Sequence, residues 1–241
     1  MQLIDLNCDL GEGFPDDERI FPLISSANIA CGFHAGDGAT MRRSASLARR
    51  HGVAIGAHPS YLDRAGFGRR PMEIAAAEVT EQVLEQVAAL RTAAEEEGAE
   101  VRYLKPHGAL YNRIAHDPEQ ADAVAAAAQN AGLPLLGLAG SEVERAALRR
   151  GVPFFAEAFA DRAYRADGTL VPRSEPGAVL HDADLVAERV ARIVQSGSLT
   201  AATGEEVAVR VQSLCVHGDS PDAVALLSAI RARLPIIRAF A

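Results

Sequence analysis

Lysine is all but missing from this chain: of its 24 basic residues a single one, Lys105, is lysine and the rest are arginine. That scarcity excludes a standard Walker A phosphate loop, which needs Gly-Lys-Ser/Thr, because Lys105 stands between Leu104 and Pro106. Neither GEGFPD (11–16) nor GFGRRP (66–71) completes a dinucleotide-binding GxGxxG, and both read as turns. Long apolar runs are missing too; no stretch approaches the ~18 uninterrupted residues of a membrane helix, so no membrane association is expected. Asp5 and Asp9 fall where an export signal would carry its apolar core, which points away from secretion. Basic stripes are absent. With a net charge of -8 and arginines scattered among acids, as in LARRHG and EVERAALRR, nucleic acid is not an expected partner. Cysteine is sparse: Cys8, Cys31 and Cys215 form no CxxC, and each falls in a run that reads as a strand. Buried reduced thiols, a cytoplasmic location and no cysteine-based structural zinc are therefore expected. Linkers and low-complexity segments are lacking as well, so residues 1–241 are read as one domain.

What is present is alternation. Strands are predicted at Leu3–Asp9, Asn28–His34, Val53–His58, Val101–His107, Leu133–Ala139, Val152–Phe159 and Gln212–His217. Helices lie between them. Asp117-Pro118 opens one that Gly132 closes, Ser141 with Glu144 reads as a capping box closed by Gly151, and Ser220-Pro221 opens the last. The longest is predicted from Pro71 to Glu97, with Ile74, Val83, Val87, Leu90 and Ala94 on one face and EEEG as a solvated end. Seven β-then-α units imply a parallel sheet clothed in helices. A closed barrel is preferred to an open doubly wound sheet, with residues 165–178 as a βα-loop.

The preference for closure comes from side-chain parity, since alternate strand residues face opposite ways. Asp5, Asn7 and Asp9 share one face of the first strand, against Ile4, Leu6 and Cys8. Likewise Asn28, Ala30, Gly32 and His34 oppose Ile29, Cys31 and Phe33, and Ala54, Gly56 and His58 oppose Val53, Ile55 and Ala57. Tyr103, Lys105 and His107 lie together, and His217 and Asp219 oppose Leu214 and Val216. Apolar faces would meet the helices. The other faces carry small residues and then a polar group at the carboxyl end, which leaves a cavity with chemistry at its rim, where barrel active sites lie. Four of seven histidines, His34, His58, His107 and His217, terminate predicted strands; His51, His116 and His181 belong to helix ends. Asp9, Glu12, Asp37, Glu157, Asp161 and Asp219 join the four. Such a cluster at one end of one sheet is expected to be functional.

A lysine in that cluster offers what arginine cannot: a compact charge whose proton can be lost on desolvation. Point-charge binding of a phosphoryl or carboxylate oxygen, proton transfer and Schiff-base formation are all open to it. The plain alternative is a stray lysine left by drift toward arginine. A catalytic metal held by Asp9 and two strand-end histidines is chemically feasible and stays open.

Six motifs, DLNCDLGEG (5–13), SANIACGFHAGD (26–37), GAHPSYLDRAGFGRR (56–70), YLKPHGALYN (103–112), EAFADRAYRADGTLVPR (157–173) and CVHGD (215–219), together resemble the LamB/YcsF family of bacterial 5-oxoprolinase A subunits. The resemblance implies an irregular, TIM-like parallel (β/α)7 barrel related in shape to polysaccharide deacetylases. It implies ATP-dependent opening of 5-oxoproline to L-glutamate, with Mg2+ accompanying ATP, in concert with B and C subunits. Without a P-loop, phosphorylation is expected to depend on the partners and ring opening to occur here. In that picture the catalytic residues are Asp9, Glu12, His58, Lys105 and His107: Asp9 or Glu12 activates water, His58 and His107 transfer protons, and Lys105 steadies developing negative charge. Arg162 takes the substrate carboxylate, and Asn7, His34, Asp37, Glu157, Asp161, His217 and Asp219 complete the pocket. Whether this chain itself holds a metal, and whether it forms a homo-oligomer, stay open. The rival readings are a metal-dependent deacetylase or amidohydrolase, a Schiff-base lyase using Lys105, and a non-catalytic subunit that only holds substrate.

Overall fold

Seven parallel strands close on themselves in the computed structural model, which describes residues 4–236 and Phe240. They are β1 (Asp5–Leu10), β2 (Ser26–Ala30), β3 (Ala54–His58), β4 (Val101–Leu104), β5 (Leu135–Leu138), β6 (Phe154–Phe159) and, after a two-stranded antiparallel hairpin of β7 (Ser198–Thr200) and β8 (Glu206–Ala208), β9 (Ser213–His217). The order is β1-β2-β3-β4-β5-β6-β9, with β9 pairing back onto β1. The helices are α1 (Asp17–Ile20), α2 (Gly38–His51), α3 (Ala76–Glu96), α4 (Gly108–Arg113), α5 (Pro118–Ala131), α6 (Glu142–Arg150), α7 (Ala183–Ser196) and α8 (Ala223–Arg233). The barrel is irregular, as expected: register shifts between β3 and β4 at Ile55/Gly56, and β4 meets β5 through the single pair Leu104↔Leu135.

Local chemistry sets most helix ends. Asp117 accepts from the N–H groups of Glu119 and Gln120, Pro118 occupies the first turn, and Gly132 ends α5 in the left-handed conformation. Ser141 caps α6 by accepting from Glu144, but the Glu144 carboxylate reaches the N–H of Gly140, so only half of the expected capping box forms. Two helix starts differ from expectation. The long helix begins at Ala76 instead of Pro71: Ala75 lacks a capping side chain, and Gln120 donates to the carbonyl of Ile74, holding that segment outside the helix. The last begins at Ala223, two residues beyond Pro221.

Strand ends agree in part: β3, β6 and β9 end where predicted, β1 runs on to Leu10, and β2, β4 and β5 end sooner, while Leu3 lies outside the described residues. β2 stops at Ala30, before the positive φ of Gly32, so His34 stands on the following loop. β4 stops at Leu104, although Lys105 still donates its N–H to Ala57 and His107 to Pro59. His107 then immediately precedes α4.

Parity held. Registers Asn7↔Cys215, Asp9↔Asn28 and Asp9↔His217 stack the polar side chains in layers inside the barrel. At the amino end Asp5 accepts from Ser25 and Ser26, each at 2.6 Å, and from Ser213. Beside that layer an apolar plug of Tyr103, Leu136, Phe155 and Phe240 fills the interior, with Tyr103 and Phe240 stacked at 4.0 Å. Gly56 makes room for the Tyr103 ring: a Cβ there would overlap the ring carbons. Gly56→Ala should therefore cost about 1–3 kcal/mol by overpacking. Chemical denaturation checks this; an unchanged midpoint would mean that the ring is not confined.

Candidate active site

The loops and strand ends at the carboxyl side surround a cavity of about 690 Å³. Its inner wall carries Asp9, Glu12, His58, Lys105 and His107; its outer wall is the segment after β6, with Arg162, Arg165 and Arg173, while Arg69 stands on the loop after β3. All five residues expected to be catalytic thus face one space.

Lys105 is 1% exposed. Its Nζ donates to Asn7 Oδ1 (3.2 Å), Asp9 Oδ1 (3.2 Å) and Cys215 Sγ (3.1 Å), and pairs with Glu157 Oε2 at 3.0 Å. Burial alone would drive its pKa down, but Asp9, Cys215 and Glu157 outweigh burial and hold the ammonium well above the ordinary lysine range. Asp9 answers it. Burial would raise that carboxyl, yet the Lys105 ammonium keeps it well below the usual carboxylate range. Asn28 Nδ2 also donates to Asp9, at 2.8 Å, and to Asn7 at 2.7 Å, while Tyr103 donates to Asn28 at 2.6 Å.

Beside Asp9 lies a second group. His58 Nε2 is 3.5 Å from Asp9 Oδ2, and His107 Nδ1 is 3.0 Å from His58 Nε2. The His34 and His107 rings stack at 3.9 Å, nearly parallel, and Glu12 Oε1 lies 3.1 Å from His34 and 3.4 Å from His107. Burial, then Asp9 and Asp219, push Glu12 well above its ordinary value. Burial pulls His34 down to about 3 and His107 well below the histidine range. His217 belongs to a third group: it stacks on Phe159 and gives its ring Nδ1 and backbone N–H to Asp161, which is fully buried.

Not every expected residue faces the cavity. Asp37 is exposed and accepts from Thr40 as the N-cap of α2; its carboxylate is committed to the helix, which corrects its assignment to the pocket. Arg162 lines the cavity, but its Nε and Nη2 donate to the carbonyls of Ala178 and Val171, so it pins the outer wall. Asp219 bridges Arg69 and Arg173 at 2.5 and 2.9 Å, tying the two walls at the rim. Asn7 and Glu157 lie beneath the cavity as partners of Lys105. Two of the four histidines, His34 and His107, follow their strands instead of ending them, yet all four gather at the same end. Sequence reasoning missed Cys215 as a contact of Lys105, although it shares the parity of His217, and treated the arginines of 165–173 only as loop. All three cysteines are buried and unpaired.

The LamB/YcsF family model matches residues 4–236. The 5-oxoprolinase A chain of Streptomyces avermitilis is 52% identical over 239 residues, spanning 96% of each chain. Its counterpart from Mycobacterium avium is 53% identical over 238 residues, spanning 96% of this chain and 94% of its own. The crystal structure of the lactam utilization protein from Thermus thermophilus, 42% identical, superposes with a TM-score of 0.91 over 96% of both chains.

The Asp161–His217 pair makes a pH-dependent prediction. Burial would raise Asp161, but His217 and then Arg173 hold it below the usual aspartate value. A depressed carboxyl stabilises the fold above its unfolded pKa, about 3.9, and that stabilisation disappears as pH falls through the folded value. Asp161→Asn should cost on the order of 2 kcal/mol at neutral pH. Denaturation of both proteins across acid pH should show the gap closing below the aspartate range; a gap that widens there would contradict the pairing.

Proposed function

We propose, on the premise that this chain belongs to the LamB/YcsF family, that it is the ring-opening component of an ATP-dependent 5-oxoprolinase working with B and C subunits. The observation that carries the reading is the cavity itself. A charged lysine, an ionised carboxylate and an imidazole cluster meet on one wall, opposite a wall rich in arginine. A five-membered lactam is a stable amide. Transfer of the ATP γ-phosphoryl group to its oxygen makes C5 electrophilic and releases ADP. Water adds to C5, the C5–N bond breaks as the nitrogen takes a proton, and the resulting acyl phosphate yields L-glutamate and phosphate to a second water.

In this reading Asp9, held ionised, activates the water, and His58 and His107 handle protons beside it. Lys105 steadies the negative charge that develops on the opening ring, in a buried site where a fixed charge acts strongly. The rim arginines attract the substrate carboxylate and phosphoryl oxygens. Two other readings lose support. An ammonium paired with two carboxylates lacks the free lone pair a Schiff base requires, and a holding pocket needs few of these titratable groups.

Turnover of 5-oxoproline by the purified chain with its partner subunits, each component and ATP omitted in turn, tests the proposal by glutamate release. Glutamate should require this chain, the partners and ATP. Lys105→Arg, shown folded by circular dichroism, should lower turnover by roughly 10²–10³-fold. Glutamate formation without this chain, or undiminished turnover by that variant, would overturn the reading.

A further inference from the structure

We propose that Glu12, His34, His58 and His107 form a binding site for one divalent transition-metal ion of the zinc class at the inner end of the cavity. The argument concerns where the imidazole hydrogens are. His58 Nδ1 lies 2.7 Å from the carbonyl of Lys105, which can only accept, so Nδ1 carries the hydrogen and Nε2 presents a lone pair. His107 Nε2 lies 3.0 Å from the carbonyl of Phe67, so there it is Nδ1 that presents the lone pair. His34 Nδ1 lies 3.0 Å from Ser60 Oγ, whose own hydrogen goes to the carbonyl of Tyr61 at 2.8 Å; Ser60 therefore accepts, and His34 Nε2 is bare.

Three bare nitrogens thus point at one another and at a carboxylate. His107 Nδ1 and His58 Nε2 are 3.0 Å apart, and Glu12 Oε1 lies 3.1, 3.4 and 4.0 Å from the nitrogens of His34, His107 and His58. All four donor atoms lie within 4.8 Å of one another. Lone pairs so placed repel unless something positive sits between them. A single proton reconciles only one pair; a cation reconciles all four. Ligand bonds of about 2.0–2.1 Å in a tetrahedral site set donor–donor edges of roughly 3.3 Å, and the four spacings of 3.0, 3.1, 3.4 and 4.0 Å straddle that value.

The surroundings suit an ion as well. Each imidazole is fixed through its far nitrogen, the arrangement that orients metal-ligating histidines. Phe67 adopts a left-handed conformation, φ 55°, costly for a bulky residue, and in it presents its carbonyl to His107 and its ring edge-on to His34 and His107. All three histidines are buried. Three imidazoles with one carboxylate favour zinc or its neighbours over magnesium or calcium. With Glu12 and the three imidazoles filling its four positions, the bound ion would fix those rings and place positive charge beside Asp9; His58 and His107 would then be ligands in place of the proton carriers proposed for ring opening, leaving Asp9 as the base. This deepens the ring-opening reading and rests on it for its catalytic meaning, but the binding itself does not.

The test uses the full chain, stripped by chelator and titrated with Co2+ without 5-oxoproline or partners, so its outcome is separate from turnover. One equivalent should bind with the strong visible bands of four-coordinate cobalt and be displaced by Zn2+, and Zn2+ should raise the melting temperature. The double variant His34→Gln, His107→Gln should lose the site. Ser60→Ala, which frees the His34 ring without removing a ligand, should weaken Co2+ affinity about 10–100-fold. Absence of stoichiometric Co2+ binding, or unchanged affinity in the folded double variant or in Ser60→Ala, would overturn the proposal.

Discussion

One buried ammonium organises this barrel. Lys105 follows β4, yet its Nζ is held by residues of β1 (Asn7, Asp9), β6 (Glu157) and β9 (Cys215), so a single charge joins strands far apart in sequence. Burying an unpaired charge is prohibitive, and breaking such a pair costs about 3–5 kcal/mol because the remaining charges stay uncompensated. The four partners surround Nζ from several sides. A flat, forked guanidinium is wider and directs its donors in one plane, which explains why a chain that uses arginine elsewhere keeps lysine here.

The charge also divides the interior. Toward the amino ends of the strands, Asp5 with its serines and the Tyr103–Phe240 stack fill the barrel. Toward the carboxyl ends the side chains on the inner face are too small or too polar to fill it, and a cavity opens. Its walls differ in kind: acids and imidazoles lie on the side of β1, β3 and β4, with Arg69 at their rim, while Arg162, Arg165 and Arg173 lie on the segment after β6. One wall thus offers titratable groups and the other fixed positive charge. Asp219 ties the two by bridging Arg69 and Arg173.

Much of this was legible because strand parity is strict. Asp9, His58, Lys105 and His107 converge as the alternation required, Glu157 joins them from β6, and the Asp117/Gly132 and Gly151 helix limits followed from cap chemistry. What was not legible depended on contacts distant in sequence. Asp37 looked like a pocket acid because it follows His34, but a carboxylate three residues before Thr40 at a helix start is claimed by the helix. The histidine tautomers could not be read at all, since they depend on carbonyls of Phe67 and Lys105 brought close by folding. Cys215 was hidden for another reason: cysteine was read as core, and its parity was not followed.

Because Lys105 is the sole lysine, its side-chain ammonium can be observed without assignment ambiguity by ¹⁵N–¹H NMR of the ζ group. A titration from neutral to alkaline pH tests the central claim most directly. A single, slowly exchanging ammonium signal that persists above the ordinary lysine range of about 10.4 is the predicted result. A rapidly exchanging signal that titrates at or below that range would contradict a buried, fully paired charge at the centre of the barrel.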